Sequence, residues 1–209
     1  MNWITIVGII LIAFGTGLTI YGPIHESSKE SKSLNTKIDN ILERLQPQTR
    51  AEKEATIDSR IEMFRSISKD SFKKIEEQSF QKWEHDNGFI IRRDLKATFP
   101  ENGIINFDGY AENGETGPDG ISYYINVLYN ASDSLEEPVA KLIVDYRRKF
   151  VAYRSELNPT HRQHQLEILI VHNSNQPEVL EYQINELFQR YTNMVPVSFH
   201  LYNITEIEQ

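Results

Sequence analysis

Leu166–Glu167–Ile168–Leu169–Ile170–Val171 carries five large apolar side chains in six positions and lies between two segments of helical periodicity. A run that is apolar at nearly every position, rather than at every second one, belongs to a strand covered on both faces. Upstream, Val139, Leu142, Ile143, Tyr146, Phe150 and Tyr153 recur at helical spacing and predict a helix over about 134–157. Downstream, a second helix is expected from Pro177 to about Tyr191, and Val195, Val197, Phe199 and Leu201 alternate as a last strand. Helix, buried strand, helix and strand in succession specify a sheet covered by helices, hence an α/β domain.

Toward the N-terminus, three extended runs are expected at 89–98, 104–111 and 121–129, with turns at 100–103 and 113–120 rich in Gly, Pro, Asn and Asp. Asp86–Asn87–Gly88 closes a helix expected over about 51–83, whose stripe is Ile57, Ile61, Phe64, Ile75, Phe80 and Trp83. The element order is α-β-β-β-α-β-α-β, a mixed sheet flanked by helices, and the domain is expected to occupy residues 56–209.

The 209 residues include no cysteine, which excludes disulfides, thiolate zinc sites, iron–sulfur clusters and a cysteine nucleophile. The formal net charge of −8 is unevenly distributed. Residues 1–22 hold no charged side chain, 23–85 balance 12 basic against 12 acidic, and 86–209 hold 10 against 18. A negative C-terminal half repels phosphate backbones and disfavours nucleic acid as a partner.

Residues 3–21 extend about 28 Å as a helix, close to the thickness of a bilayer core. Trp3 and Tyr21 bracket the run like an aromatic belt. Residues 1–22 are therefore expected to be a retained transmembrane anchor that makes the lipid bilayer a partner. Lys29, Lys32 and Lys37 follow the span and no cation precedes it, so the bulk of this single-pass chain should face the cytoplasm. Gly8, Gly15 and Gly22 share one helical stripe, and Ala13 and Gly17 another; either would let two spans approach closely.

Residues 23–55 read as a helical stalk. Leu34, Ile38, Ile41 and Leu45 are spaced 4, 3 and 4, the period of a coiled-coil seam. Two heptads are marginal alone, but membrane tethering raises their effective concentration. A homo-oligomer is expected, with a single amphipathic helix as the alternative.

The element order and two local strings resemble the restriction-endonuclease-like, PD-(D/E)XK, nuclease superfamily. In that family an Asp on the second strand and a Glu-x-Lys pair on the third bind a divalent metal and activate water. Asn106–Phe107–Asp108–Gly109–Tyr110–Ala111 is similar to the second strand, which implies that Asp108 stands at the metal-binding position. Tyr123–Tyr124–Ile125–Asn126–Val127–Leu128–Tyr129 is similar to the third, with Asn126 in place of the Glu and Leu128 in place of the Lys. The resemblance covers about 60–205.

Positions 126 and 128 share a sheet face, so a pocket of Asp108, Tyr124, Asn126 and Leu128 is expected. Asn126 offers a neutral carbonyl, a poor donor for a hard dication that wants several charged oxygens, and Leu128 cannot stabilise developing negative charge. The usual apparatus is therefore vacated and no cofactor is expected. A relocated nuclease site, holding Mg²⁺ or Mn²⁺, would draw on Asp108 with Glu112 or Asp119 and on Lys141. His161 and His164 read as surface loop residues, His172 as a strand-terminal hydrogen bonder, and Arg147–Arg148–Lys149 as a solvated basic run. The function expected is a membrane-anchored scaffold with an inactive nuclease-like domain that binds a protein partner; the alternative is a membrane-tethered metal-dependent nuclease.

Overall fold

The computed structural model describes residues 45–64, 67–99, 103–115, 119–157, 163–189 and 196–207. The expected anchor with Gly8 and Gly15, and the seam residues Leu34, Ile38 and Ile41, lie outside the described residues. Among the described residues no helix is long and apolar enough to cross a membrane.

In chain order the elements are β1 (Leu45–Pro47), α1 (Arg50–Phe64), α2 (Lys69–Asn87), β2 (Arg92–Phe99), β3 (Gly103–Glu112), β4 (Ile121–Asn130), α3 (Glu137–Leu157), β5 (Gln163–His172), α4 (Pro177–Gln189), β6 (Val197–Asn203) and α5 (Ile204–Ile207). The six strands form one mixed sheet in sequence order. Neighbours from β1 to β4 are antiparallel, whereas β4, β5 and β6 are parallel. Parallel neighbours need a crossover, which α3 and α4 supply. Leu166, Ile168, Leu169, Ile170 and Val171 are fully buried, as a strand between two parallel neighbours and two helical layers requires.

On one face of the sheet Phe107 and Tyr124 pack on Phe150 and Tyr153 of α3. On the other, Trp83 of α2 meets the edge of Tyr123, with ring centroids 5.5 Å apart. Here α2 also presses on β3. A Cβ at Gly109 would lie 2.5 Å from Ile91 Cγ2 and 3.1 Å from Phe80 Cε1, so only glycine fits.

Three sequence expectations need correction. Leu45 is not a coiled-coil residue; it pairs with Ala97 in β1, and Pro47 stands on the edge strand, where its missing N–H costs least. Residues 45–55, assigned to the stalk, thus belong to the domain, whose compact unit begins at Arg44. The helix expected over 51–83 is two helices, because Ser68 caps a new N-terminus by accepting from the Ser71 N–H at 3.2 Å. Its C-terminal end is as expected, at Gly88 with φ 74°.

Candidate functional site: the fork between β3 and β4

β3 and β4 are paired from Glu112 and Ser122 only as far as Gly109 and Ile125. The β2–β3 ladder skips the Asp94/Asp108 pair at the same level, and Asp94 adopts φ 58°. Phe107 and Tyr110, three residues apart, both face Tyr124, with centroids at 4.9 and 5.2 Å. A regular pleat would put them on opposite faces, so β3 departs from it at Asp108–Gly109. Beyond that point β3 and β4 part, and neither Asp108 nor Asn126 belongs to the ladder between them.

Arg60 of α1 enters this fork. Its Nη1 donates to Asp108 Oδ2 at 2.7 Å and lies 3.4 Å from the Val127 carbonyl, and its Nη2 donates to the Tyr146 hydroxyl of α3 at 2.5 Å. The guanidinium also lies over the Phe72 and Tyr146 rings, 5.9 and 5.7 Å from their centroids. Asp108 Oδ2 accepts the Val127 N–H at 2.8 Å as well. Arg60 is 3% and Asp108 5% exposed, so the pair is shielded from water. Burial works against the charge on Arg60, but the Asp108 carboxylate outweighs it and holds the guanidinium above its ordinary value. Burial also pushes the Tyr146 hydroxyl up to about 12.

Behind the pair, Glu76 of α2 is buried and its carboxyl is pushed up to about 7, first by burial and then by the Asp108 charge. Lys53 of α1 opposes that shift at 2.8 Å from Glu76 Oε2 and also bonds Asp94. Burial lowers the Lys53 ammonium, but Glu76 and Asp94 together hold it above its ordinary value.

The expected pocket is therefore packed solid. Tyr124, Asn126 and Leu128 share the face beneath α3 and are fully buried. Among the described residues neither amide atom of Asn126 has a hydrogen-bond partner. Of the relocated set, Asp119 is exposed in the β3–β4 connection, Glu112 accepts from the Tyr110 hydroxyl, and Lys141 is 73% exposed and bonded to Glu137 at 2.6 Å. Among the described residues no group of three or more His, Asp or Glu could hold a metal ion. A dication and a guanidinium compete for the same Asp108 oxygen, and the fork residues suit the internal cation better than Mg²⁺ or Mn²⁺.

The apolar stripe of Ile57, Ile61 and Phe64 does not include Arg60. The signal available was that Lys53, Ile57, Arg60 and Phe64 are spaced 4, 3 and 4, which puts two cations on the inner face. The expected site also omits Glu167, which accepts from Gln165 Nε2 at 2.7 Å and pairs with His200 Nε2 at 2.7 Å. His164 is no surface residue: it is buried on β5, and its Nδ1 lies 3.2 Å from the Tyr124 hydroxyl. Arg147 is likewise buried, while Arg148 and Lys149 pair with Asp145 on the outer face of α3. His172 does end its strand as a hydrogen bonder, its Nδ1 accepting from the Ser174 N–H at 3.2 Å. Compared with protein-family models, curated proteins and solved structures, the chain matches none.

Proposed function

We propose that this chain is a single-pass membrane protein whose cytoplasm-facing, nuclease-like domain is a binding scaffold rather than a nuclease. The supporting observation is the Arg60–Asp108 pair, 2.7 Å apart and buried. Where the nuclease resemblance would put a metal on Asp108, the domain supplies its own cation from α1. The uncharged run at 3–21 followed by Lys29, Lys32 and Lys37 supports the anchor and its orientation. In this reading the anchor and stalk hold an oligomer at the membrane, and the domain presents its surface to a protein partner.

A metal-dependent nuclease is the second reading, and Glu76 favours it. A carboxyl pushed up to about 7 beside Asp108 and Lys53 is the kind of perturbation found at functional sites. One assay separates the two. The full-length chain is incubated with single- and double-stranded DNA and RNA in Mg²⁺, in Mn²⁺ and in chelator. The scaffold reading expects no cleavage above chelator background, and metal-dependent cleavage overturns it. A pull-down of the intact chain from its native membrane then identifies the partner.

A further inference from the structure

α1 is fastened to the domain by two apolar side chains, Ile57 and Phe64, and otherwise by charge. Its buried side chains are Ile57, Arg60 and Phe64, and one of those three is itself a cation. Toward α2, Glu54 meets Lys69 at 2.5 Å and Lys73 at 2.6 Å, Asp58 meets Lys69 at 2.5 Å, and Lys53 meets Glu76 at 2.8 Å. Toward β2, Glu52 meets Lys96 at 2.6 Å, and Lys53 also bonds Asp94. Toward β3 and α3, Arg60 meets Asp108 and the Tyr146 hydroxyl. Apart from the Arg60–Asp108 pair and Glu76, these ionic side chains are partly exposed. Pairs of that kind hold weakly and yield to salt.

The surface beneath α1 differs from an ordinary helix-docking site. Carboxylates from three elements, Glu76, Asp94 and Asp108, face its two inner cations. Asp94 keeps φ 58°, a left-handed conformation that side chains adopt only at a cost. The β4–β5 core, by contrast, is a continuous apolar block: Ile125, Val127, Leu128, Leu166, Ile168, Leu169, Ile170 and Val171 are all fully buried. Two parts of one domain are thus held by forces of different kinds and different salt dependence.

We infer that α1 is a releasable strap: it lifts off the β3–β4 fork as a unit while the sheet stays folded, and in doing so uncovers Glu76, Asp94 and Asp108. On its N-terminal side Gln48 donates to the Asp94, Leu95 and Phe107 carbonyls and β1 pairs with the sheet edge, so the strap swings about that anchored end. The strap makes the fork a two-state feature, with Arg60 as its removable plug.

Hydrogen exchange of the full-length chain, resolved by peptide mass spectrometry, tests this at about 0.1 M and about 1 M NaCl, between which the screening length falls from about 10 Å to about 3 Å. Amides of α1 exchange faster than those of β4 and β5, and the gap widens about tenfold at the higher salt as the partly exposed pairs are screened. Lys69→Gln produces part of that widening at the lower salt. Lys141→Gln, whose pair with Glu137 lies within α3, produces none. If α1 exchanges in step with β4 and β5, or if salt leaves the gap unchanged, the strap is overturned.

Discussion

Replacing Glu76 by Gln tests the electrostatics of the fork. Burial and the Asp108 charge raise this carboxyl from 4.5 to about 7 despite the Lys53 ammonium 2.8 Å away. The folded state therefore keeps the proton to a higher pH than the unfolded chain does. An acid raised in this way gives stability that is fully present below the unfolded value and is lost as pH rises through the window from 4.5 to about 7. The two values differ enough for a loss on the order of 3 kcal/mol across that window. Other groups titrate nearby, among them His172, which burial lowers. They cancel when wild type and Glu76→Gln are compared at each pH. Urea unfolding followed by circular dichroism at several pH values from 4 to 8 is the assay. With an m-value of about 2 kcal/mol/M, the wild-type midpoint should fall relative to the variant by roughly 1.5 M. Lys53 retains Asp94 in the variant, so that cation is not left alone. Parallel midpoints from acid to alkaline pH would refute the reasoning, because Glu76 would then ionise as an ordinary carboxylate. A wild type that gained on the variant as pH rises would mean that Lys53 outweighs burial.

Two further substitutions probe the same region. Asp108→Ala strands the buried Arg60 guanidinium and should cost about 3–5 kcal/mol in urea unfolding, whereas Arg60→Met with Asp108→Leu should recover all but the roughly 1–3 kcal/mol left by the orphaned Val127 amide; equal losses in single and double variants would deny that the pair is coupled. Gly109→Ala forces a methyl to 2.5 Å from Ile91 Cγ2 and 3.1 Å from Phe80 Cε1 and should destabilise by about 1–3 kcal/mol, so a change under about 0.5 kcal/mol would show that Ile91 and Phe80 do not press on β3.

Much of the fold was legible because the decisive signals are local. The apolar run at 166–171 named a doubly covered strand, the helical spacings around it named its crossovers, and Gly88 ended α2. Leu45 was misread because a seam spacing and a short edge strand use the same residue, and pairing with Ala97 is a long-range fact. The break at Ser68 carried a readable signal, a serine N-cap followed by Asp70, but apolar spacing persisted across it. The site was only half legible. Asp108 does lie at the fork, but it bonds Arg60 and the Val127 N–H rather than Asn126. Arg60 was invisible for a physical reason: a cation on a helix among paired charges is solvated far more often than buried. Lys141 failed for the complementary reason, since its place on α3 let it find Glu137 on the outer face.

The need for an aspartate at position 108 follows from the fork itself. Where β3 and β4 part, the Val127 N–H and C=O are left without a β3 partner in a site closed to water, a costly condition for backbone groups. Asp108 Oδ2 accepts that N–H at 2.8 Å, and Arg60 Nη1 lies 3.4 Å from that carbonyl. Side chains of opposite charge thus replace one missing rung of the ladder, and each also neutralises the other. An apolar plug would fill the space and leave both backbone groups unmet. An asparagine at 108 could accept the N–H but would leave the guanidinium uncompensated. The acid is accounted for by the sheet's hydrogen bonding before any metal is invoked, and a cation is required beside it for the same reason. The fork that the nuclease resemblance marks as a reaction centre therefore has, in this chain, a sufficient structural cause in the two strands that diverge there.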